Sequence, residues 1–118
     1  METAPLPNRR SVCPIACTLD VVGDKWTLLV LRDLFSGKMH FKEFAASEER
    51  IATNILTSRL ERLLNHRLIK QVPSKVHAGR FGYRLTERGE TMLPLLEAVT
   101  QWGLRHLDGT EIKALPSG

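Results

Sequence analysis

The segment IATNILTSRLERLLNHRLIK (residues 51–70) has the apolar periodicity of a helix and is the most informative part of the chain. With about 100° of rotation per residue, its leucines share roughly a third of the circumference. They are Leu56, Leu60, Leu63 and Leu64. Asn54, Thr57, Ser58, Glu61 and Arg62 fall on the opposite side, and Thr53 adds a fourth short polar residue to the N-terminal half. Exposed helix faces usually favour Glu, Lys, Gln and Arg, so this face of short polar residues predicts a binding role.

The basic residues are concentrated in one segment. The chain of 118 residues has a formal net charge of +4. Residues 59–84 hold seven lysines and arginines against one acid, Glu61, so this segment alone carries +6. A local basic stripe is the electrostatic footprint of a polyanion site. A purely solubilising surface is the alternative, because charge runs are often only solvated.

Length and composition favour one cytosolic domain, with 42% apolar and 25% charged residues. No apolar run approaches the ~20 residues of a membrane span, and the N-terminus lacks the apolar region of a signal peptide. Two cysteines are too few for a disulfide framework. We predict a flexible tail over residues 1–12, one domain over residues 13–108 and a loose tail over residues 109–118.

The first half of the chain predicts three helices. CPIACTLDVVG (residues 13–23) has proline where a first turn tolerates it and glycine at its end. Asp24 can cap a second helix, DKWTLLVLRDLFSG, which is apolar on most sides and which Gly37 ends. Residues 38–40 predict a short strand. FKEFAAS (residues 41–47) predicts a short helix, followed by a charged turn.

The second half adds a hairpin and a long helix to the leucine-rich helix. No good N-cap precedes the leucine-rich helix, so Thr53 is the better candidate. Two strands, IKQVPSK and RFGYRLT, flank the turn VHAG, and Pro73 confines the first strand to an edge or a bulge. A last helix begins at its cap, Thr86, runs to about Leu107 and bends at Pro94.

This order of elements is the layout of a winged helix-turn-helix, a mainly α fold with a small β-hairpin wing. In that fold the N-terminal residues of the second helix reach base edges in the major groove, where hydroxyls and amides form hydrogen bonds. Basic residues further along suit phosphates, and VHAGR places a histidine and an arginine at the wing tip. The candidate DNA-binding residues are Thr53, Asn54, Thr57, Ser58, Arg59, Arg62, Lys75, His77 and Arg80.

The sequence also resembles a known family. CPIACTLDVVGDKWTLLVLRDLFSGKMHFKEF is similar to the opening of the HxlR family of bacterial, MarR-like winged-helix regulators. IATNILTSRLERL resembles the recognition helix of that family, and YRLTERGETMLPLLEAVTQWG resembles its closing segment. The resemblance runs from Cys13 to about Leu107. It implies a homodimeric transcription factor, more a repressor than an activator, that dimerises through its N- and C-terminal helices and binds operator DNA without a cofactor.

The closing helix supports the dimer. Its apolar residues exceed one core-facing stripe, and a second chain is the simple explanation. The candidate interface residues are Leu95, Leu96, Val99 and Trp102. The alternative to a dimer is that this helix packs against its own domain on two sides.

The resemblance also suggests a sensing cysteine. Cys13 occupies the position of a family cysteine that senses oxidants or electrophiles in some members. A thiol at a helix start, near Arg9 and Arg10, is expected to react as a thiolate. Cys17 follows one turn later on the same face. The alternatives are that both cysteines are packing residues and that a small-molecule ligand at the dimer interface is the effector.

Three other classes of function fit less well. None of the four histidines lies in a nucleophile or metal motif, and the chain has no G-x-S-x-G or H-E-x-x-H, so we expect no enzyme. Cys13 and Cys17 are an acceptable half of a zinc site, but no second pair follows at ligand spacing. A winged helix used for protein or RNA contacts is disfavoured by the polar recognition face.

Overall fold

The computed structural model describes residues 11–112, and this part consists of six helices and one two-stranded sheet. The predicted tails lie largely outside it, at residues 1–10 and 113–118. The elements are α1 (Pro14–Val22), α2 (Thr27–Phe35), α3 (Phe41–Ala45), α4 (Thr53–Asn65), β1 (Ile69–Pro73), β2 (Phe81–Leu85), α5 (Glu87–Glu90) and α6 (Leu93–His106). The predicted mainly helical chain with a hairpin is confirmed. No helix in the described part is long and apolar enough to cross a membrane.

The start of α2 lies a little later than the sequence suggests. The helix begins at Thr27, but Asp24 still satisfies its first turn. One carboxylate oxygen of Asp24 accepts the backbone N–H groups of Trp26 and Thr27 at 2.9 and 3.1 Å. After the helix, Gly37 takes a φ of +103°, a conformation that glycine adopts without steric cost.

The core lies where α2, α4 and the sheet meet. Its most deeply buried apolar side chains are Leu31, Phe44, Leu56, Leu60 and Leu63. Three of the four leucines predicted for the buried face of α4 are therefore in the core, and Leu64 is half-buried at its edge. Burying one such side chain contributes about 1.5–3 kcal/mol, so this stripe orients the whole helix.

The N-terminal end of α4 corrects one prediction. Ala52, not Thr53, occupies the N-cap position, and no side chain accepts a hydrogen bond there. The backbone of Ala52 is extended, so Thr53 is already the first helical residue. At the other end the helix stops at Asn65, and Arg67 takes a left-handed φ of +59° that directs the chain into β1.

The hairpin is the predicted wing. β1 and β2 are antiparallel, with Gln71 opposite Tyr83. The strand predicted at residues 38–40 is reduced to one backbone hydrogen bond, from the Tyr83 N–H to the Met39 carbonyl at 2.8 Å. Gly82 permits this approach, because a Cβ there would lie 2.8 Å from the Met39 oxygen. β2 is thus flanked on both edges, which ties the wing to the segment between α2 and α3.

The predicted closing helix is two helices. Thr86 caps α5 as expected, because its hydroxyl oxygen accepts the N–H of Gly89 at 3.0 Å. Gly89 packs against the backbone of the residue before β1, where a Cβ would be 1.9 Å from the Leu68 carbonyl oxygen. The helix breaks at residues 91–92, and Pro94 lies in the first turn of α6 rather than at a bend. The N–H groups of a first helical turn have no partner within the helix, so proline loses no hydrogen bond there. In a continuous helix the Pro94 ring would clash with the carbonyl four residues earlier, and the break avoids this clash.

Candidate nucleic-acid interface

The outer face of α4 presents four short polar side chains at its N-terminal end. Thr53, Asn54, Thr57 and Ser58 are all exposed. The Thr57 hydroxyl donates to the Thr53 carbonyl at 2.9 Å, and the Ser58 hydroxyl accepts a bond from Arg59 at 3.0 Å. The Asn54 amide has no hydrogen-bond partner within the described part of the chain. Its donor and its acceptor are both available to a ligand lying along α4.

The next two arginines of α4 are held by the protein itself. Nε of Arg59 lies 2.8 Å from Oδ1 of Asp24, and Nη1 of Arg62 lies 2.7 Å from Oδ2 of the same carboxylate. DNA binding by Arg59 and Arg62 therefore stays a prediction, with each guanidinium group already bonded to Asp24. Both are partly buried and paired, so only the N–H groups that do not face Asp24 remain for a phosphate.

Asp24 joins the N-terminal ends of α2 and α4. Besides capping α2 and accepting the Thr27 hydroxyl, it fixes both guanidinium groups. Partial burial would raise the pKa of this carboxyl, but hydrogen bonds from Thr27, Arg59 and two backbone amides hold it far below its usual range. The sequence shows Asp24 only as a cap, because its arginine partners are 35 and 38 residues away.

A buried polar cluster fixes the turn that precedes α4. Asp33 is 2% exposed and accepts the Ser47 hydroxyl, with Lys38 at 3.4 Å and Arg32 at 2.9 Å. Arg32 continues to Glu49 through two bonds of 2.8 Å. Bidentate pairs of this kind fix geometry as well as adding energy. Because Ser47 and Glu49 lie in the turn, the cluster sets the position of α4 relative to α2.

The wing loop carries the remaining predicted contacts. Lys75, His77 and Arg80 are all exposed, and they share one short loop. The Ser74 N–H donates to the Arg80 carbonyl at 2.9 Å, and Gly79 makes the turn with a φ of +79°. The loop is therefore closed on itself and presents these three side chains outward.

Two further cations were not singled out from the sequence. Lys70 and Arg84 are directly opposite each other in the sheet, and both are exposed. Like charges in this arrangement are destabilising on their own. An anion beside the sheet would remove that repulsion. The sequence alone does not place these two residues together, because their pairing depends on the register of the hairpin.

The family of the protein follows from its relatives. A model of the HxlR-like helix-turn-helix family matches residues 21–111. The chain belongs to this family. YdeP of Bacillus subtilis, an HTH-type transcriptional regulator, is 36% identical over 101 aligned positions, and the match covers 81% of this chain and 75% of YdeP.

Solved structures agree with this membership. PA1607 superposes on the HxlR-like chain with a TM-score of 0.79 at 38% identity, over 88% of this chain and 74% of PA1607. The redox regulator HypR, in its reduced form, gives a TM-score of 0.71 at 30% identity, over 81% of this chain and 95% of HypR. The winged helix-turn-helix fold is thereby confirmed, and the protein is a DNA-binding transcriptional regulator, as predicted.

The dimer residues predicted for this HxlR-like protein divide into two groups. Leu96 is 5% exposed and lies in the core. Its assignment to an interface was wrong, because its own chain already covers it. Leu95, Val99 and Trp102 are exposed, the last two at 50% and 60%. On α1, Ile15 and Leu19 are exposed as well. Large apolar side chains in water at both ends of the chain are typical of an interface surface.

The two cysteines of the HxlR-like chain are free thiols in different surroundings. Cys13 is exposed at the N-cap of α1, and Cys17 is partly buried. The Cys17 thiol donates to the Ser11 carbonyl at 3.2 Å. Arg9 and Arg10, which the sequence places near Cys13, lie outside the described residues. Cys13 is thus the more accessible thiol.

The HxlR-like chain also has two open clefts. One, of about 480 Å³, lies between the Arg32–Glu49 pair and the segment after α6. The other, of about 670 Å³, lies beside the wing and is lined by the segment after α2 and by both strands, with Lys38, Val72 and Arg84 among its residues. Residues 11–112 contain no group of three or more side chains that could hold a metal ion.

Proposed function

We propose that this regulator is a homodimeric repressor that reads a specific operator with α4 and acts in the cytoplasm. The observation that carries the proposal is the outer face of α4, where four short polar side chains are exposed and the Asn54 amide is unpaired within the described chain. Short side chains let a helix approach base edges closely, and asparagine can pair with both hydrogen-bonding groups of adenine in the major groove.

The remaining roles follow from position. Thr53, Thr57 and Ser58 would lie beside Asn54 against base edges. Lys75, His77 and Arg80 would contact the backbone or a neighbouring minor groove from the wing, and the outward N–H groups of Arg59 and Arg62 would bind phosphates. These backbone contacts contribute affinity and register but no sequence information.

The proposed dimer uses the exposed apolar residues of α6. Leu95, Val99 and Trp102 would pack against a second copy, with α1 contributing Ile15 and Leu19. A two-fold dimer would place two copies of α4 in successive major grooves, about 34–36 Å apart. Bound across a promoter, such a dimer would repress by excluding the polymerase.

The test is a fluorescence-anisotropy titration of wild type and Asn54→Ala on the duplex upstream of the protein's own gene and on a scrambled duplex. We expect Asn54→Ala to weaken specific binding by about 1–3 kcal/mol and to leave non-specific binding almost unchanged. Asn65→Ala is the matched control. It changes the same residue type on the same helix, about three turns further along, where it should leave both affinities unchanged.

Equal losses on both duplexes would exclude base recognition by Asn54. If wild type shows no preference for any promoter duplex, and responds to single strands or RNA instead, the operator proposal fails. Protein or RNA recognition by the same winged helix would then replace it.

A second proposal concerns control by oxidation. Cys13 is exposed, and HypR, a redox regulator, is 30% identical. We propose that oxidation of Cys13 changes DNA affinity. Titration of wild type and Cys13→Ser before and after a mild thiol oxidant should show a change in wild type alone. Tight binding that oxidation leaves intact in wild type would exclude Cys13 as a sensor and favour a small-molecule effector at the dimer interface.

A further inference from the structure

A chain of hydrogen bonds connects α3 to the wing loop. Oε1 of Glu43 lies 3.0 Å from Nδ1 of His40, and Nε2 of His40 lies 2.9 Å from the hydroxyl of Ser74. The same hydroxyl accepts the backbone N–H groups of Val76 and His77 at 3.1 and 3.0 Å. The chain of bonds therefore runs from a helix of the helix-turn-helix into the interior of the wing loop.

The donors and acceptors fit one arrangement of protons. Because the Ser74 oxygen accepts two amide protons, its own proton points at Nε2 of His40, which must then be unprotonated. In this arrangement a ring proton lies on Nδ1 and is donated to Glu43. The Glu43 carboxylate also accepts the backbone N–H groups of His40 and Met39 at 2.9 and 3.1 Å. These backbone bonds lower the pKa of Glu43 and keep it a charged acceptor.

A Glu–His–Ser chain is also the geometry of serine nucleophiles. Here the lone pairs of the Ser74 oxygen are already engaged by two amides of its own loop, which opposes attack on a substrate. The Glu43 side chain is 44% exposed, whereas the orienting acid of a serine triad is buried. The His40 and His77 rings form a T-shaped pair with their centroids 6.1 Å apart. The arrangement therefore fits a link between two elements better than a catalytic site.

We propose that His40 is a positioning residue for DNA binding. It fixes the wing loop, and with it Lys75, His77 and Arg80, at a set distance from α4. α3 packs on α4, so a loop tied to α3 moves with the recognition helix. Ordering the loop before DNA arrives reduces the entropy lost on binding. This inference rests on the proposed DNA-binding function of the wing.

The experiment separates the two halves of the link. His40→Asn places an amide near the position of Nδ1 and keeps only the bond to Glu43, whereas His40→Gln places one near Nε2 and keeps only the bond to Ser74. Ser74→Ala removes the hydroxyl. Lys42→Ala, on the exposed side of α3, is the control. Each protein is measured by amide hydrogen exchange of residues 74–80 without DNA, and by anisotropy on the duplex upstream of its own gene.

We expect faster exchange of the wing-loop amides in His40→Asn, with DNA affinity reduced roughly three- to tenfold, the effect of losing one partly buried hydrogen bond. Ser74→Ala also removes the acceptor of the Val76 and His77 amides, so its effects should be at least as large. His40→Gln should stay close to wild type in both measurements, as should Lys42→Ala. A purely structural role in α3 predicts a different pattern, in which exchange rises along α3 and the wing loop does not change.

Three results would overturn the link. The first is wing-loop exchange that His40→Asn and Ser74→Ala leave unchanged. The second is faster exchange with DNA affinity intact, which would show that the loop position does not matter for binding. The third is hydrolysis of p-nitrophenyl acetate by wild type that Ser74→Ala abolishes, which would assign catalysis. If wild type binds no duplex, the proposed function fails, and the exchange measurement still decides whether His40 holds the loop.

Discussion

α4 and α6 are both amphipathic helices that bury one face in the same core, yet their outer faces differ. The outer face of α4 has short polar residues, with Asn54 unpaired within the described chain. The outer face of α6 has Val99 and Trp102 in water. A lone domain gains from neither, because short polar residues are weak helix formers and exposed apolar area is unfavourable in water. The two faces therefore fit the two partners proposed above, nucleic acid at α4 and a second copy of the chain at α6.

The two helices are also held differently. α4 is oriented by ion pairs from Asp24 to Arg59 and Arg62 and by the anchored turn before it. α6 is held on its inner side mainly by Leu96. A recognition helix needs a fixed direction to match base edges, and charged bonds supply direction. An interface helix needs mainly apolar area, which is non-directional.

The largest expected effect separates the inner and outer faces of α6. Leu96→Ala should lower the free energy of unfolding by about 2–5 kcal/mol, because it leaves a cavity in the core. Val99→Ala should change it by only about 0.5 kcal/mol at concentrations where the chain is monomeric. Urea denaturation at several protein concentrations measures both. Equal losses from the two variants would remove the distinction between the faces.

The outer face of α6 is tested directly by Trp102→Arg. We expect this change to raise the dissociation constant of the dimer by about 30-fold or more, since a central tryptophan often contributes at least ~2 kcal/mol to an interface. Gln101→Arg places the same charge on the neighbouring residue and should have a smaller effect. Sedimentation velocity measures the dissociation constant. If the wild-type protein remains monomeric at high concentration, α6 does not form a dimer interface.

Local signals explain what the sequence could predict. The leucine stripe of α4 follows from a helical period, the hairpin from alternation around a glycine turn, and the Thr86 cap from its side chain. Each of these features depends on residues that are close together in the sequence. The outer face of α4 is predictable for the same reason, because its polar residues are arranged by the period that buries the leucines.

Contacts between distant segments explain what the sequence could not predict. Nothing near Arg59 or Arg62 indicates that Asp24 neutralises part of their charge. The broad apolar arc of α6 likewise does not tell which residue faces inward, and Leu96 was assigned to the wrong side. The link from His40 to Ser74 joins residues 34 positions apart. These sites became visible only when the helices were placed beside one another.

A smaller effect compares two arginines on the DNA-binding side. Arg80→Ala should weaken binding to all duplexes and reduce the slope of log affinity against log salt by about 0.9, the value for one lost phosphate contact. Arg59→Ala should reduce the slope less, because Asp24 already balances part of that charge. Anisotropy titrations at several salt concentrations give both slopes. An unchanged slope in Arg80→Ala would show that the wing does not contact DNA phosphates through this residue.

The smallest expected effect concerns the Arg32–Glu49 ion pair, which helps to fix the turn before α4. Hydrogen bonds from Arg32 lower the pKa of Glu49 to about 2, against an ordinary value of 4.5. A carboxyl with a depressed pKa in the folded state contributes stability above its ordinary pKa and loses it as pH falls toward 2. Glu49→Gln should therefore be less stable than wild type at pH 6, by under about 1 kcal/mol because the pair is partly exposed. The two proteins should converge near pH 2.

Urea denaturation from pH 6 to pH 2 measures this convergence, with Glu61→Gln on the exposed face of α4 as the control. The control should show no such pH-dependent gap. A Glu49→Gln curve parallel to wild type at every pH would mean that the Arg32–Glu49 pair adds nothing to folding. Ser47 and Asp33 would then anchor the turn without it. Val99→Ala should follow the acid behaviour of wild type, because it removes only an apolar side chain that does not titrate.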